Sequence, residues 1–260
     1  MLMCELLGLN FKYPVSASFS FRGFRHRSEK NAHGWGIARY DGGACQVFKE
    51  ARKAEDSRLA EFIRDYEAFQ SRIFIGHVRD ASLGAHTLAN THPFVRVFQG
   101  REIALAHNGT LKTKPLPDNE LLYSRVGETD SEGILCALLT LLERENLPLD
   151  DFQRIEKILA GFNQNGTMNL LFSDGETLYC YKDKSSHNGL HLVERAAPFH
   201  SVSLMDEDWQ VDFAEEREPD QHGFVIASHP LTVDETWVDL PQGALFAFRD
   251  GVLVYGDLGC

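Results

Sequence analysis

Turns, more than any long periodic run, constrain what this 260-residue chain can become. Asp41-Gly42-Gly43, Asp174-Gly175 and Asp250-Gly251 each separate short apolar or alternating runs, the pattern that closes hairpins between antiparallel strands. The runs at 36–40 and 45–49 flank the first of these turns. Residues 5–10 read as an opening apolar strand, and 72–78 and 103–107 read as strands that end at polar clusters. Further short strands are expected at 168–173, 177–181, 189–193, 224–227, 244–249 and 252–255. Helical spacing marks only three stretches. Residues 54–69 place Leu59, Phe62, Ile63, Tyr66 and Phe69 on one broad face. A second helix, capped by Thr129 or Asp130, runs to about residue 145, and a third spans 149–162.

No repeat, low-complexity tract or linker interrupts this order. The expectation is one domain over residues 1–260, of α+β class, with two antiparallel sheets enclosed by helices. Hydrophobic residues at 43% are enough for a sizeable core. A formal charge of −12 disfavours nonspecific nucleic-acid binding, which needs clustered Lys and Arg. The one basic run, 22–30, contains Glu29 and reads as a solvated or substrate-facing loop. Five cysteines (Cys4, Cys45, Cys136, Cys180 and Cys260) form no C-x-x-C pair and leave one over in any disulfide scheme. The opening segment lacks a basic n-region and a long apolar core, and no run reaches membrane-spanning length. Without a secretory signal, the sequons at Asn108 and Asn165 read as coincidental. The expected location is the cytoplasm.

Four places offer chemistry, each with a plain structural alternative. Cys4 at a strand start is either a small buried hydrophobe or a nucleophile. If the residues before it are removed, it carries both a thiol and an α-amine, which titrates near ~7.7–8.0 and can serve as its base. Cysteine is small enough for Met3 to be trimmed as an initiator, whereas Leu2 would block trimming of Met1. Arg79 either pairs with a nearby carboxylate such as Asp80 or binds a substrate carboxylate through its planar fork. Asn108-Gly109 is either a turn or a pair of neutral donors for an oxyanion. Asp130 is either a helix cap or a seat for an ammonium group. His33, His77, His86, His92 and His107 are numerous, but no two of them stand at the H-x-x-x-H spacing that would suggest a metal.

Taken in order, Met3-Cys4, Gly34-Trp35-Gly36, Gly76-His77-Val78-Arg79, Thr91-His92-Pro93-Phe94, His107-Asn108-Gly109 and Glu128-Thr129-Asp130-Ser131-Glu132 resemble the class II glutamine amidotransferases. The stand-alone YafJ-type members are the nearest in pattern, and the likeness continues through Ser228-His229-Pro230-Leu231-Thr232 and Glu235-Thr236-Trp237. The resemblance implies an N-terminal-nucleophile hydrolase with a four-layer αββα sandwich. It implies Cys4 as nucleophile with its own amine as base, and Asn108 with Gly109 as oxyanion hole. Arg79 would hold the substrate α-carboxylate and Asp130 the α-ammonium, with His92 and Trp35 near the pocket. The pattern differs at two points: Met1-Leu2 precede the Met-Cys start, and Asp80 follows the pocket arginine where fused synthases usually carry an aromatic.

The function expected on this basis is hydrolysis of the γ-amide of glutamine, with no metal or organic cofactor. Residues 1–260 leave no acceptor domain, so the expectation is that ammonia passes to a separate synthase subunit or that the protein is simply a hydrolase. The alternatives are a γ-glutamyl peptide or γ-glutamyl-thiol hydrolase, and a non-catalytic glutamine-sensing partner.

Overall fold

The computed structural model describes residues 4–26, 33–79, 85–213 and 218–259. In chain order its first half contains β1 (Glu5–Ser16), α1 (Ser18–His26), β2 (Trp35–Asp41), β3 (Ala44–Glu50), α2 (Arg58–Asp65), β4 (Gln70–Val78), β5 (Phe94–Phe98), β6 (Arg101–Leu111) and α3 (Asp130–Arg144). The second half contains α4 (Phe152–Phe162), β7 (Gly166–Ser173), β8 (Thr177–Tyr181), β9 (His191–Ala196), β10 (Ser201–Ser203), β11 (Gln210–Asp212), β12 (His222–Ala227), β13 (Val238–Asp239), β14 (Leu245–Arg249) and β15 (Val252–Tyr255).

Among the described residues, a seven-stranded sheet runs β13-β9-β12-β1-β4-β2-β3, a six-stranded one β15-β14-β8-β7-β6-β5, and β10 and β11 pair separately. Side-chain alternation along the strands of the two large sheets sorts their apolar residues into three cores, and three cores make four layers. Leu7, Leu9, Trp35, Ile37 and Phe74 of the first sheet pack against Phe21 and Phe24 of α1 and Ile63 of α2. Leu6, Ala38 and Ile75 from the same strands meet Ala104, Ala106, Leu171 and Phe246 between the sheets. Ile103, Leu105, Leu170 and Phe172 face Ile134, Leu138, Ile155 and Leu159 of α3 and α4. The result is the αββα sandwich. Tyr40 also ties the sheets together: its hydroxyl donates to Ser173 O at 2.6 Å and accepts from Ala104 N at 3.1 Å.

Local rules account for most boundaries. Asp41 pairs with Ala44 across Gly42-Gly43, whose φ values of 56° and 90° suit a two-residue hairpin turn. Thr129 caps α3 by accepting from Glu132 N, and Asp151 caps α4 by accepting from Arg154 N. Two expectations are corrected. The helix read at 54–69 is only α2; Phe62 and Tyr66 are exposed and stack on each other 5.0 Å apart rather than facing the core. Arg22 and Arg25 of the basic run lie on α1, not in a loop, and residues 27–30 lie outside those described. Of the two readings of Asn108-Gly109, the turn is excluded, because β6 continues through both to Leu111. Among the described residues, no helix is long and apolar enough to cross a membrane.

Candidate active site

The two sheets come together in polar contact where β1 begins. Cys4 immediately precedes β1. The register Glu5↔Val78, carried one residue further, sets it beside Arg79 at the end of β4. Arg79 is locked on its other side, where its backbone N–H donates to Gly34 O at 2.8 Å. On β6, Ala104 and Ala106 face the first sheet, so Asn108 shares that face. Its Nδ2 donates to the Cys4 carbonyl at 2.5 Å and lies 3.4 Å from Ser228 Oγ. Ser228 Oγ in turn accepts from Leu6 N at 3.0 Å. Asn188 Nδ2 donates to the same Cys4 carbonyl at 2.7 Å.

Gly109 pairs with Met168 on β7, and a Cβ on it would overlap the Thr167 carbonyl. Glycine is needed there for strand approach, not for a turn. Arg79 is buried, and its guanidinium donates to Ala85 O at 3.4 Å. Asn90 donates to the same carbonyl at 3.0 Å and accepts from Glu128 N at 2.8 Å. These bonds connect the segment after Arg79 to the start of α3. Buried Glu132 secures that start from within: it pairs with Arg96 and accepts from Val126 N and Gly127 N at 2.9 and 2.7 Å. Asp130, one residue inside the Thr129 cap, accepts from Leu111 N at 2.7 Å. It thereby holds the end of β6, two residues past Gly109.

Three buried histidines lie underneath. The His77 and His92 rings stack with centroids 3.9 Å apart, and His92 meets Phe94 edge-on at 4.6 Å. His77 Nε2 lies 3.1 Å from the His107 carbonyl, so its N–H donates across the two sheets. His107 Nδ1 lies 2.9 Å from Ser131 Oγ on α3. Burial lowers all three, His77 to about 3 and His92 well below its usual value. The nearby Asp130 carboxylate opposes the effect at His107 without cancelling it. The rings are therefore neutral near pH 7 and supply packing and hydrogen bonds rather than charge.

The structure brings Cys4, Arg79, Asn108 and Gly109 to one end of the sandwich, with Asp130 at the adjoining end of β6. Trp35, expected near the pocket, pairs with Val78 next to Arg79, and its ring is fully buried on the helix side of the first sheet, 5.8 Å from Phe21 of α1. Strand alternation explains this, because Ala38 faces the second sheet while Trp35 and Ile37 face α1. Met3 and Asp80 lie outside the described residues. A cavity of about 920 Å3 opens at the far end of β1, lined in part by Tyr13, Ser16, Arg195 and Trp209. It contains none of the expected site residues. Among the described residues, no three His, Cys, Asp or Glu side chains converge as a metal site.

Sequence reading did not single out Asn188. A polar residue beside Gly189 looks like any turn residue, and its placement is decided by distant partners. Asp183 accepts from Met168 N, Asn163 Nδ2 and Ser185 N, at 2.7, 2.7 and 2.8 Å. Asn169 donates to His187 O at 2.6 Å and to Gly189 O at 3.2 Å. Together they fold the β8–β9 loop back on Cys4. The assembled groups are a thiol at the head of a strand, side-chain amide donors, a guanidinium and a carboxylate. Such a set suits nucleophilic attack on a carbonyl of a zwitterionic substrate.

Comparison with known proteins places the chain in a family. The family described as glutamine amidotransferases class-II matches residues 3–257. The uncharacterized protein MJ1515 of Methanocaldococcus jannaschii is 41% identical over 258 residues, covering 98% of this chain and 72% of that one. YafJ of Escherichia coli K12 is 36% identical over 250 residues, covering 93% and 95%. A crystal structure of a predicted glutamine amidotransferase from Pseudomonas aeruginosa superposes with a TM-score of 0.71 at 32% identity, over 97% of this chain and all of that one. The glutamine phosphoribosylpyrophosphate amidotransferase of B. subtilis shares the fold, with a TM-score of 0.64 at 18% identity over 96% of this chain and 48% of its own.

Proposed function

The chain belongs to the class II glutamine amidotransferases, and from that membership we propose that it hydrolyses the γ-amide of glutamine, or of a related γ-glutamyl compound, through a thioester on Cys4. The observation that carries the reading is the bond from Asn108 Nδ2 to the Cys4 carbonyl, which sets a two-donor amide of the second sheet against the cysteine at the head of β1.

In this mechanism the Cys4 α-amine, exposed once the preceding residues are removed, takes the thiol proton. The sulfur attacks the γ-carbonyl carbon and the C–O bond pair moves onto oxygen. Asn108 and the Gly109 N–H stabilise that oxyanion. The second Asn108 N–H faces Ser228 Oγ at a length near the limit of hydrogen bonding, so a charged oxygen displaces that partner readily. Collapse of the intermediate breaks the C–N bond, and the leaving nitrogen takes the proton from the α-ammonium as ammonia departs. Water, deprotonated by the same amine, then attacks the thioester and frees glutamate and the thiol. Arg79 and Asp130 hold the α-carboxylate and α-ammonium.

The other described cysteines are poor nucleophiles by comparison. Burial raises Cys45 to about 12 and also raises Cys136 and Cys180, which suppresses their thiolates. The test is labelling by a glutamine analogue with an electrophilic ketone in place of the amide, on protein whose N-terminus is fixed by intact mass. Labelling of Cys4 alone, lost together with glutamine hydrolysis in Cys4→Ala, is the expected result. Full activity in protein that retains Met1 would exclude the amine as base.

A further inference from the structure

Cys4 is held by two amides, and one of them has an unused acceptor. Both Asn108 and Asn188 donate to its carbonyl. Asn188 is 8% exposed, and its Oδ1 is buried with no hydrogen-bond partner among the described residues. The carbonyl of Cys4 fixes which way this amide faces, because reversing it would set oxygen against oxygen. The backbone at Asn188 has a φ of 47°, a left-handed conformation that Asn tolerates better than most residues. The Asp183 and Asn169 bonds described above restrain the loop on both sides of it. A restrained loop thus delivers one side chain to Cys4 and leaves its acceptor atom unsatisfied in the interior.

We propose that Asn188 positions the Cys4 α-amine, its Oδ1 accepting a hydrogen bond from the nitrogen that is freed when the residues before Cys4 are removed. The planar amide then spans the cysteine backbone, donating to its carbonyl and accepting from its amine. That role rests on the amidohydrolase reading, in which this amine is the base. It answers a physical need, since a chain terminus frays unless it is tied down and a base must hold its lone pair toward the thiol. Asn188 is a positioning residue here, because it acts through the amine and not on the substrate.

The experiment compares wild-type protein, Asn188→Ala and Asn188→Asp, each with a Cys4 terminus verified by intact mass. Two readouts are taken: kcat and KM for glutamine across pH, and the pH dependence of Cys4 alkylation by iodoacetamide without substrate. Arg79 on the adjoining strand and the Glu5–His229 pair beside Cys4 are the same in all three proteins, so their charges cancel in the comparison. Asn188→Ala is expected to lower kcat by about tenfold or more, with KM changed less than about twofold, and to displace the alkylation profile. Asn188→Asp keeps an acceptor and adds a negative charge that favours the ammonium. Its acidic limb therefore moves to higher pH, by about one unit or more. An unchanged alkylation profile in both variants overturns the proposal, as does a rise in KM alone, which would assign Oδ1 to the substrate. Wild-type protein that cleaves no γ-glutamyl amide, yet shows a displaced alkylation profile in Asn188→Ala, would retire the amidohydrolase reading and uphold this one.

Discussion

His92 lies ring on ring with His77, 3.9 Å between centroids, and neither of its nitrogens has a hydrogen-bond partner among the described residues. Both rings are neutral in the fold because burial penalises their charged forms. Once unfolded, each titrates near its ordinary 6.5. Below that pH the unfolded chain binds a proton that the folded chain refuses. Stability is thus fully present above about 6.5 and falls with acidification, for His77 down to about 3. The slope is about 1.4 kcal/mol per pH unit for each such ring.

Replacing His92 by Phe keeps a planar ring in the slot and removes two unsatisfied nitrogens. His92→Phe is expected to be more stable than wild type by about 1 kcal/mol at pH 7.5. At pH 5 the gap should widen by about 2 kcal/mol, because the variant no longer loses that proton's share of stability. Urea unfolding at the two pH values measures both. An equal gap at both pH values would show that His92 titrates in the fold as it does in water.

How much of this was legible depends on whether the cause is local. The β2–β3 hairpin could be read because Gly42-Gly43 allow positive φ at both turn positions. The start of α3 could be read because Thr129 and Glu132 stand at capping spacing ahead of an apolar run. By contrast α1 was hidden. Ser18-Phe19-Ser20-Phe21 alternates like a strand and Gly23 breaks the helical pattern, yet Phe21 and Phe24 are buried against the sheet. The Asn108-Gly109 pair looked like a turn because turn chemistry is local, whereas the β6–β7 ladder that keeps both residues extended is not. Asn188 and the sheet face of Trp35 depend on the same long-range geometry.

Two glycines make opposite predictions from one substitution. A methyl group on Gly109 would meet the Thr167 backbone, which cannot yield without opening the β6–β7 ladder. Gly109→Ala should therefore cost about 3 kcal/mol or more. Gly161 in α4 has nothing within 4 Å of the added carbon. Gly161→Ala should stabilise by about 0.5–1 kcal/mol through helix propensity alone. Thermal melts of the two variants would separate these effects, and equal shifts would contradict the strand packing at Gly109.

Arg79 and Asn108 should divide between binding and chemistry. Arg79→Lys loses the two-pronged hold on a carboxylate and is expected to raise KM about tenfold or more with kcat little changed. Asn108→Ala removes a donor that strengthens as the oxyanion forms, so kcat should fall about 10²–10³-fold. Steady-state kinetics with glutamine make the distinction. An effect on KM alone in both variants would remove Asn108 from the oxyanion hole.

Asp130 has a structural duty that must be separated from any role in binding. Its Oδ2 accepts from Leu111 N at 2.7 Å, fixing the end of β6 just beyond Gly109. Asparagine can keep that bond through its own side-chain oxygen while removing the charge. Asp130→Asn is therefore expected to melt close to wild type and to raise KM for glutamine about tenfold or more, because an ammonium loses its counter-charge. Asp130→Ala gives up both and should lose stability as well, about 1–3 kcal/mol for the orphaned Leu111 N–H. A substrate analogue lacking the α-ammonium sharpens the test. It should bind wild type and Asp130→Asn about equally, since the carboxylate then has nothing to pair with. If Asp130→Asn keeps the wild-type KM for glutamine while Asp130→Ala loses activity and stability together, the carboxylate serves only to anchor β6 to α3, and the ammonium is held elsewhere.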